Sequence, residues 1–284
     1  MSYLSIGLPI RNEEEFLEKT LSLLLDQSFK DFEIIISDNV SEDKTSEIYQ
    51  KFNDKRIKIY KQSTKLTSFE NFNFTVQASK SKYFMWNSGH DFRSKNFLKE
   101  VINFLDKNND YVGCCGDFKS NLDNKIDLFK YYSFDNLNIN ERLNFFKKIE
   151  YNYFVYSIFR TDKLKKTSLM TDVNGGDLNL IYELSFLGKL RRLKTDELTF
   201  MNIKENTIGN WNDYFKKHLL INNYKFWDIF KNRLRDFNKL LLKNDINFSE
   251  RIKYQKFFIL ELIKSFILIC FYESKSWLKK KILP

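Results

Sequence analysis

The chain has 284 residues, enough for one large α/β domain or for a domain of about 200 residues with an extension. Only 8 Gly and 2 Pro argue against flexible linkers, and 3 Cys without metal or disulfide spacing argue against a zinc site or a secreted disulfide scaffold. The net charge of +10 is concentrated in residues 251–284, which hold eight Lys or Arg against two Glu, whereas a nucleic-acid-binding protein more often carries a basic stripe over its main domain.

Strands and helices are predicted to alternate over the first part of the chain. The run FEIIIS is continuously apolar, which is typical of a parallel strand covered on both faces. Asn12 and Glu15 have the spacing of a capping box at the start of the first helix. The same reasoning predicts strands at residues 3–10, 32–37, 56–60 and 82–87, separated by helices. This alternation predicts an α/β fold, with a mostly parallel, Rossmann-like sheet and helices on both faces.

The later part of the chain is predicted to complete this domain and to add a helical extension. Helices are expected at 94–107 and 178–187, and strands at 111–118, 153–160 and 193–203. From Trp211 onward the pattern is helical. We therefore predict a domain of residues 1–204, with halves 1–92 and 93–204, followed by a basic helical extension at 205–284.

Three candidate site residues follow predicted strands directly. Pro9, Asp38 and Asp91 each lie at or just past the carboxyl end of a different strand. In open α/β sheets ligands bind beyond the carboxyl ends of the strands. The pattern therefore predicts a ligand site at this edge of the sheet.

Three stretches of the chain resemble glycosyltransferase family 2, the inverting enzymes of the GT-A fold. They are LSIGLPIRNEEEFLEKTLSLLLDQSFKDFEIIISDNVSEDKTSEI, ASKSKYFMWNSGHDF and GGDLNLIYELSFLGKLRRL, which together span most of residues 3–200. The resemblance implies transfer of a sugar, with inversion, from a nucleotide-sugar, UDP being the commonest donor nucleotide, to a hydroxyl acceptor. It also implies a divalent cation, Mg²⁺ or Mn²⁺.

The resemblance assigns the first strand ends to the donor nucleotide. Asp38, followed by Asn39, would contact the base or ribose, while Pro9, Arg11 and Glu14 would shape the base pocket. A carboxylate accepts hydrogen bonds from a ring N–H or a sugar hydroxyl. The alternatives are an Asp38 that caps a helix or forms a turn, and a solvated Glu14 in a first helical turn.

Two asparagines lie where the family places a polar segment beside the donor. Asn71 and Asn73 would bond the nucleotide or, as the alternative, cap the predicted helix at 68–79.

Asp91 is the metal ligand that the resemblance implies. The family carries an acidic motif after the fourth strand, whose last Asp binds a cation bridging the two phosphates of the donor. Here the motif reads Ser88-Gly89-His90-Asp91, so the preceding acid is replaced by His90 or by Gly89, depending on the alignment. His90 would contact ribose or phosphate, or bind Mn²⁺. The alternative is an Asp91 that caps the helix at 94–107.

Asp177 is the general base that the resemblance implies. The family often shows Glu-Asp at the start of this helix, where the Asp deprotonates the acceptor hydroxyl. Gly176-Asp177 stands here instead. Asp172 is the reserve candidate, and the alternative for Asp177 is a helix cap.

The end of the chain combines an apolar helix with basic residues. Residues 257–271 read FFILELIKSFILICF, and Lys279-Lys280-Lys281 follow. Such helices suit an anionic membrane surface. The acceptor that the resemblance implies is a glycan or a lipid-linked molecule, and contact through 257–281 would suit the lipid-linked one. The alternative is packing on the catalytic domain or in a dimer interface. No signal peptide or spanning helix is predicted, so we expect a cytoplasmic protein, peripheral on the cytoplasmic face if the membrane contact exists.

Two other functions stay open. A non-catalytic sugar-nucleotide-binding relative would share the pattern, because the metal and base motifs each lack one acid. A basic nucleic-acid-binding protein would explain the net charge of +10, but acidic residues converging on one sheet edge would repel a phosphate backbone, so no nucleic-acid partner is expected.

Overall fold

A computed structural model describes most of the chain up to residue 120 and selected segments beyond it. The described residues are 2–120, 153–171, 176–193, 198–201, 226–243, 247–256, 258–260 and 263. The chain divides into two compact units, one of Met1–Asp172 with Gly176–Thr207 and one of Val173–Gly175 with Ile208–Pro284. The boundary after residue 204 and the division at residue 92 stay predictions.

Ten strands within the described residues form two sheets. In chain order they are β1 Leu4–Ile10, β2 Phe32–Asp38, β3 Ile57–Lys61, β4 Tyr83–Trp86, β5 Asp91–Arg93, β6 Tyr111–Cys115, β7 Asp117–Ser120, β8 Ile158–Arg160, β9 Lys189–Arg192 and β10 Leu198–Met201. The main sheet has the order β3-β2-β1-β4-β8-β6-β9, and the small sheet has the order β5-β10-β7. β1 runs parallel to β2 and β4, and β2 runs parallel to β3. The predicted α/β class with a mostly parallel sheet is confirmed.

Helices connect most of these strands. They are α1 Leu17–Leu25, α2 Thr45–Gln50, α3 Ser68–Ala78, α4 Phe97–Lys107, α5 Thr161–Leu164, α6 Gly176–Leu187 and α7 Phe226–Lys243. A 3₁₀ turn at Tyr153–Tyr156 precedes β8. Among the described helices, none is long and apolar enough to cross a bilayer.

The first helix starts later than the sequence pattern predicts. α1 begins at Leu17, and no side chain caps its first turn. Asn12 instead has a positive φ of 55° and lies in the loop before the helix, so the capping box predicted for Asn12 and Glu15 is wrong. A capping box does occur at α3, where Thr67 and Glu70 bond each other's backbone N–H groups.

The later strands differ from the prediction because the chain changes sheet. The single strand predicted at 111–118 is two strands, since β6 belongs to the main sheet and β7 to the small one. β8 is antiparallel to both β4 and β6, a reversal that hydrophobic patterning does not encode. β9, with the sequence KLRR, was not predicted because three of its residues are basic.

The core lies where the first strands meet the helices. β1 and β2 are buried along their whole lengths, as a strand covered on both faces must be. Leu98, Val101 and Leu105 of α4 and Leu17, Leu21 and Leu24 of α1 belong to the same buried cluster. This packing holds the carboxyl ends of β1, β2 and β4 in fixed positions.

A polar network closes the opposite, amino-terminal edge of the sheet. Asp106 on α4 accepts hydrogen bonds from Lys82 at 2.7 Å, from the Tyr3 hydroxyl at 2.7 Å and from the Tyr83 hydroxyl at 2.9 Å. Burial alone would raise the pKa of Asp106, but these three donors outweigh it and lower the pKa. The network ties the ends of two strands to a helix, far from the predicted ligand edge.

Asp106→Asn is expected to lower the free energy of unfolding by about 1 kcal/mol near neutral pH, a value kept small because solvent screens the pair. A lowered pKa means that the carboxylate adds stability above the ordinary Asp pKa of about 3.9 and that this stability is lost as pH falls through the lowered pKa. Urea titrations of variant and wild type at neutral and strongly acidic pH measure the difference. A gap of equal size at both pH values would contradict the assignment.

In the second unit, a helical segment at 248–256 packs on α7. The rings of Phe237 and Phe258 stack with centroids 4.0 Å apart, and the Gln255 amide donates to Asn238 at 2.9 Å. Phe258 is therefore buried within this unit, while Leu260 and Ile263 are exposed. Most of the predicted membrane segment at 257–281 lies outside the described residues, and the contact stays a prediction.

Candidate functional site

The loop after β1 is bonded to the loop after β2. The Asn12 N–H donates to the Ser41 hydroxyl at 3.0 Å, and the Asn12 side-chain oxygen accepts from the Glu42 N–H at 2.9 Å. One residue further, the Glu13 N–H donates to the Thr45 hydroxyl at 2.7 Å. The two segments thus form one surface at the carboxyl edge of the sheet.

Glu14 continues this pairing. Its N–H donates to Asp43 at 3.1 Å, and its carboxylate accepts from the Lys44 N–H at 3.1 Å. Glu14 is exposed, as the alternative supposed, but it lies before α1 and is therefore not a first-turn residue of that helix. Its carboxylate holds the α2 loop, and the contact with a base stays a prediction.

Arg11 brings a cation to this surface. Its guanidinium lies 3.2 Å from Glu42 and the side chain is 26% exposed. Its Nε is buried and has no hydrogen-bond partner among the described residues. Such a donor suits a base or a phosphate oxygen. Pro9 is buried within β1, in register with Ser37, and lies beneath this surface.

Asp38 shapes the turn that follows β2. Its carboxylate accepts from the Ser41 N–H at 3.0 Å, from the Ser41 hydroxyl at 2.5 Å and from the Tyr49 hydroxyl at 2.9 Å. A carboxylate has about four acceptor positions, so these bonds leave about one for a ligand. The turn alternative is therefore correct for Asp38. A contact with the nucleotide is compatible with it and stays a prediction.

Val40, in the same turn, has a strained backbone. Its φ is 58°, a left-handed value that is unfavourable for a β-branched residue, and the side chain is 37% exposed. Val40→Asn is expected to raise the free energy of unfolding by about 1 kcal/mol, because Asn tolerates this conformation and little packing is lost. Urea denaturation measures the gain. Ile59→Asn is the control: Ile59 is equally exposed but lies in an extended strand, so that variant should gain nothing.

The predicted asparagines hold loops. The Asn39 side chain donates to and accepts from the Leu66 backbone at 2.9 and 2.8 Å. Asn71 bonds the Ser37 hydroxyl at 2.6 Å, and Asn73 bonds both backbone groups of Met170. Because Thr67 caps α3, neither Asn71 nor Asn73 is its cap. Their contacts with a nucleotide stay predictions.

The loop after β4 is closed from within. The Asn87 amide donates to the Ser88 carbonyl at 2.8 Å and to the Asp91 carbonyl at 3.0 Å, and its oxygen accepts from the Arg93 Nε at 2.8 Å. The Thr20 hydroxyl of α1 donates to the Gly89 carbonyl at 2.7 Å. Both ends of the loop are therefore anchored in the core.

Asp91 lies at the start of β5, paired with Met201 of β10, and does not cap α4, whose preceding residue is Asn96. The side chain is buried, and its Oδ2 has no hydrogen-bond partner among the described residues. Burial raises the pKa of Asp91, and the charge of His90, the nearby Ser88 side chain and the charge of Arg93 act against that rise. Leaving a buried carboxylate oxygen unbonded costs free energy, so the Asp91 Oδ2 offers a ligand an open acceptor position.

A divalent cation fits this environment. Mg²⁺ and Mn²⁺ prefer carboxylate oxygens and take one or two of them together with phosphates and water. Within the described part of the chain, no group of three or more His, Cys, Asp or Glu side chains could hold a metal ion by itself. Asp91 therefore suits a cation that is held largely by a phosphorylated ligand.

His90 pairs with Glu13. The His90 Nδ1 lies 3.1 Å from both carboxylate oxygens of Glu13, and the two side chains are 28% and 12% exposed. Glu13, Asn87 and Arg93 were not among the predicted site residues. Glu13 has the pattern of an acid at a helix start, and no local signal connects it to a His that follows 77 residues later.

Asp177 lies in the first turn of α6 and is half-buried. The preceding Gly176 approaches the Thr171 carbonyl so closely that a side chain there would collide with it. Glycine is therefore required where the family often has Glu. Asp172, the reserve candidate, lies outside the described residues. The base role of Asp177 stays a prediction.

Comparison of the sequence with family models and curated proteins finds matches to glycosyltransferases. The family model described as Glycosyl transferase family 2 matches residues 5–168. An uncharacterised glycosyltransferase of Rickettsia typhi is 32% identical over 114 residues, which are 39% of this chain and 35% of that protein. A dolichyl N-acetyl-alpha-D-glucosaminyl phosphate 3-beta-D-2,3-diacetamido-2,3-dideoxy-beta-D-glucuronosyltransferase of Methanococcus voltae is 31% identical over 108 residues, 36% of this chain and 33% of that protein. The matches span about a third of the length of these curated relatives.

Comparisons of structure concern the fold. Staphylococcus aureus TarS 1-349 in complex with UDP-GlcNAc has a TM-score of 0.68 at 16% identity, covering 88% of this chain and 69% of that one. The mannosyltransferase PcManGT of Pyrobaculum calidifontis, in complex with GDP-Man and Mn²⁺, has a TM-score of 0.55 at 11% identity, covering 97% of this chain and 82% of that one. At these identities the likeness shows a shared GT-A fold.

Proposed function

Because this chain belongs to glycosyl transferase family 2, we propose that it moves a sugar from a nucleotide-sugar, with UDP as the expected nucleotide, to an acceptor hydroxyl with inversion. The observation that carries the proposal is the buried Asp91 carboxylate, whose Oδ2 has no hydrogen-bond partner among the described residues. It follows β4, at the edge where the loops after β1 and β2 are bonded together.

The donor nucleotide is proposed to lie against residues 9–14 and 38–45. Arg11 supplies a buried donor that lacks a partner within the described residues, and Asp38 retains about one acceptor position. Asn39 and Asn73 serve the site by holding the loops around it. The two structural neighbours, which are named in complex with UDP-GlcNAc and with GDP-Man, support a nucleotide-sugar donor of one of these classes.

Asp91 would hold a divalent cation, Mg²⁺ or Mn²⁺, which when bound neutralises charge on the departing nucleoside diphosphate. Asp177 acts as the base: it takes the proton of the acceptor hydroxyl while that oxygen attacks the anomeric carbon. The bond between this carbon and the diphosphate oxygen breaks, and its electron pair leaves with the phosphate. One displacement inverts the anomeric configuration and needs no covalent nucleophile.

The acceptor is proposed to belong to a surface glycan or its lipid-linked precursor. Support comes from the Methanococcus voltae relative, whose name describes a dolichyl phosphate-linked sugar as its substrate. Contact of 257–281 with an anionic membrane on the cytoplasmic face would bring the chain to such an acceptor.

Thermal shift with a panel of UDP-, GDP- and dTDP-sugars, each with and without Mn²⁺, tests the donor proposal. We expect one nucleotide class to raise the melting temperature, and to do so more strongly with the cation, because a ligand that binds only the folded state stabilises it. Nucleoside diphosphate release with candidate acceptors then tests transfer. No stabilisation by any member of the panel would contradict the donor site. Binding without turnover, unchanged in Asp177→Asn, would favour a non-catalytic relative.

A further inference from the structure

The pairing of Glu13 with His90 is a feature that the family resemblance does not account for. Both Glu13 oxygens lie 3.1 Å from the His90 Nδ1. The Glu13 side chain is only 12% exposed, so water screens the contact little. A carboxylate facing Nδ1 favours the ring form that carries its proton there, and it fixes the orientation of the imidazole.

Glu13 is also packed against the turn that precedes Asp91. A side chain on Gly89 would lie 2.6 Å from the Glu13 Cγ, so Glu13 occupies the space above this glycine. Its own N–H donates to Thr45 at 2.7 Å. Glu13 therefore connects the loop after β2 with the loop that carries His90 and Asp91.

The chemistry of this arrangement matches the acid missing from the motif. Carboxylates that bond the outer nitrogen of a His orient the ring and increase the basicity of the opposite nitrogen. In the chain order Gly89-His90-Asp91, no acid precedes Asp91; the imidazole of His90 stands beside it, and Glu13 supplies a negative charge from another segment.

We propose that Glu13 is a positioning residue, which holds His90 and the Gly89 turn so that His90 and Asp91 meet the donor diphosphate together. This inference rests on the proposed donor site. It makes Glu13 and His90 one functional unit, in which Glu13 acts on the ligand through the ring of His90.

A measurement on the ligand-free protein tests the pairing directly. The chain has 2 His, so ¹⁵N-histidine labelling gives two ring spin systems, and His90→Ala assigns them. We expect the His90 Nδ1 to carry a proton in the wild type and to lose this preference in Glu13→Ala. An unprotonated Nδ1 in the wild type would overturn the proposal whatever the protein binds.

A double-mutant cycle on binding tests the role. Calorimetry measures the dissociation constant of the nucleoside diphosphate that stabilises the wild type most, with Mn²⁺, for Glu13→Gln, His90→Ala and the double variant. Glu13→Gln should weaken binding about tenfold in the wild type, the effect expected for the partner of a ligating His. In the His90→Ala background it should change binding less than about twofold, because coupled residues are not additive.

Controls separate this role from a structural one. Glu15→Gln removes the same charge from an exposed position two residues away and should leave binding unchanged. Glu13→Asp keeps the charge but has a shorter side chain that no longer reaches His90, so it should weaken nucleotide binding as Glu13→Gln does. It replaces Glu13→Gln in the cycle if that variant does not fold. Equal losses in both backgrounds, or no loss in the wild type, would overturn the inference. Failure of the wild type to bind any nucleotide would instead contradict the donor site itself.

Discussion

Asp91→Asn is expected to reduce sugar transfer by about a thousandfold or more while leaving the ligand-free protein at least as stable as the wild type. Losing the carboxylate removes the group that would hold a cation on the diphosphate, and such stabilisation of the leaving group is worth several kcal/mol. The same carboxylate is buried with an oxygen that has no hydrogen-bond partner in the described part of the chain, so an uncharged amide of similar shape removes an unfavourable charge.

The sign of the stability change follows from the pKa of Asp91. Burial raises that pKa, so the stability associated with this group is fully present below the ordinary Asp pKa of about 3.9 and is lost as pH rises through the raised value. In its ionised form the side chain therefore destabilises the ligand-free fold. Urea denaturation should give the variant a free energy of unfolding at least as high as that of the wild type. The rate of sugar transfer, measured on the same preparations, should fall. A variant that lost activity and stability together would indicate a structural role.

Asp177→Asn is expected to reduce transfer by about 10²–10⁴-fold, the contribution of a general base, without weakening donor binding. Asn keeps the size of the side chain and cannot accept the proton of the acceptor hydroxyl. The measurement pairs initial rates with the dissociation constant of the donor nucleotide, and only the rates should change.

Asp162→Asn is the matched control for this variant. Asp162 is likewise an acid in the first turn of a helix, α5, and it is exposed. Its replacement should leave the rate within about twofold, since surface substitutions away from a site have small effects. A comparable loss of activity in both variants, or unchanged transfer in Asp177→Asn, would contradict the assignment of the base.

The fold could be predicted where burial alone decides secondary structure. β1 and β2 are apolar runs buried on both faces, and α4 carries its buried residues on one side, so both patterns are legible in the sequence. The predicted family and GT-A fold are confirmed. β5 and β9 were missed because one is three residues long and the other is mainly basic, and both exist through partners distant in sequence.

The site could be predicted only in part, for the same reason. Asp38 and Asp91 follow strands directly, so chain order is enough to place them at the sheet edge. The pairing of Glu13 with His90 depends on two loops meeting after the chain has crossed several elements. Asn39 shows that residue type alone can also mislead. An Asn at a strand end suits a ligand, but here both the nitrogen and the oxygen of its amide bond the Leu66 backbone.

The bonds between residues 11–14 and 41–45 have a consequence for how a ligand arrives. Backbone N–H groups of Asn12, Glu13 and Glu14 donate to side chains of the other loop. Little conformational entropy is then lost when a nucleotide settles there, because the surface that receives it is already ordered. Association should proceed in a single step at a rate set by diffusion and orientation, and the amide protons of this segment should exchange slowly with solvent in the free protein.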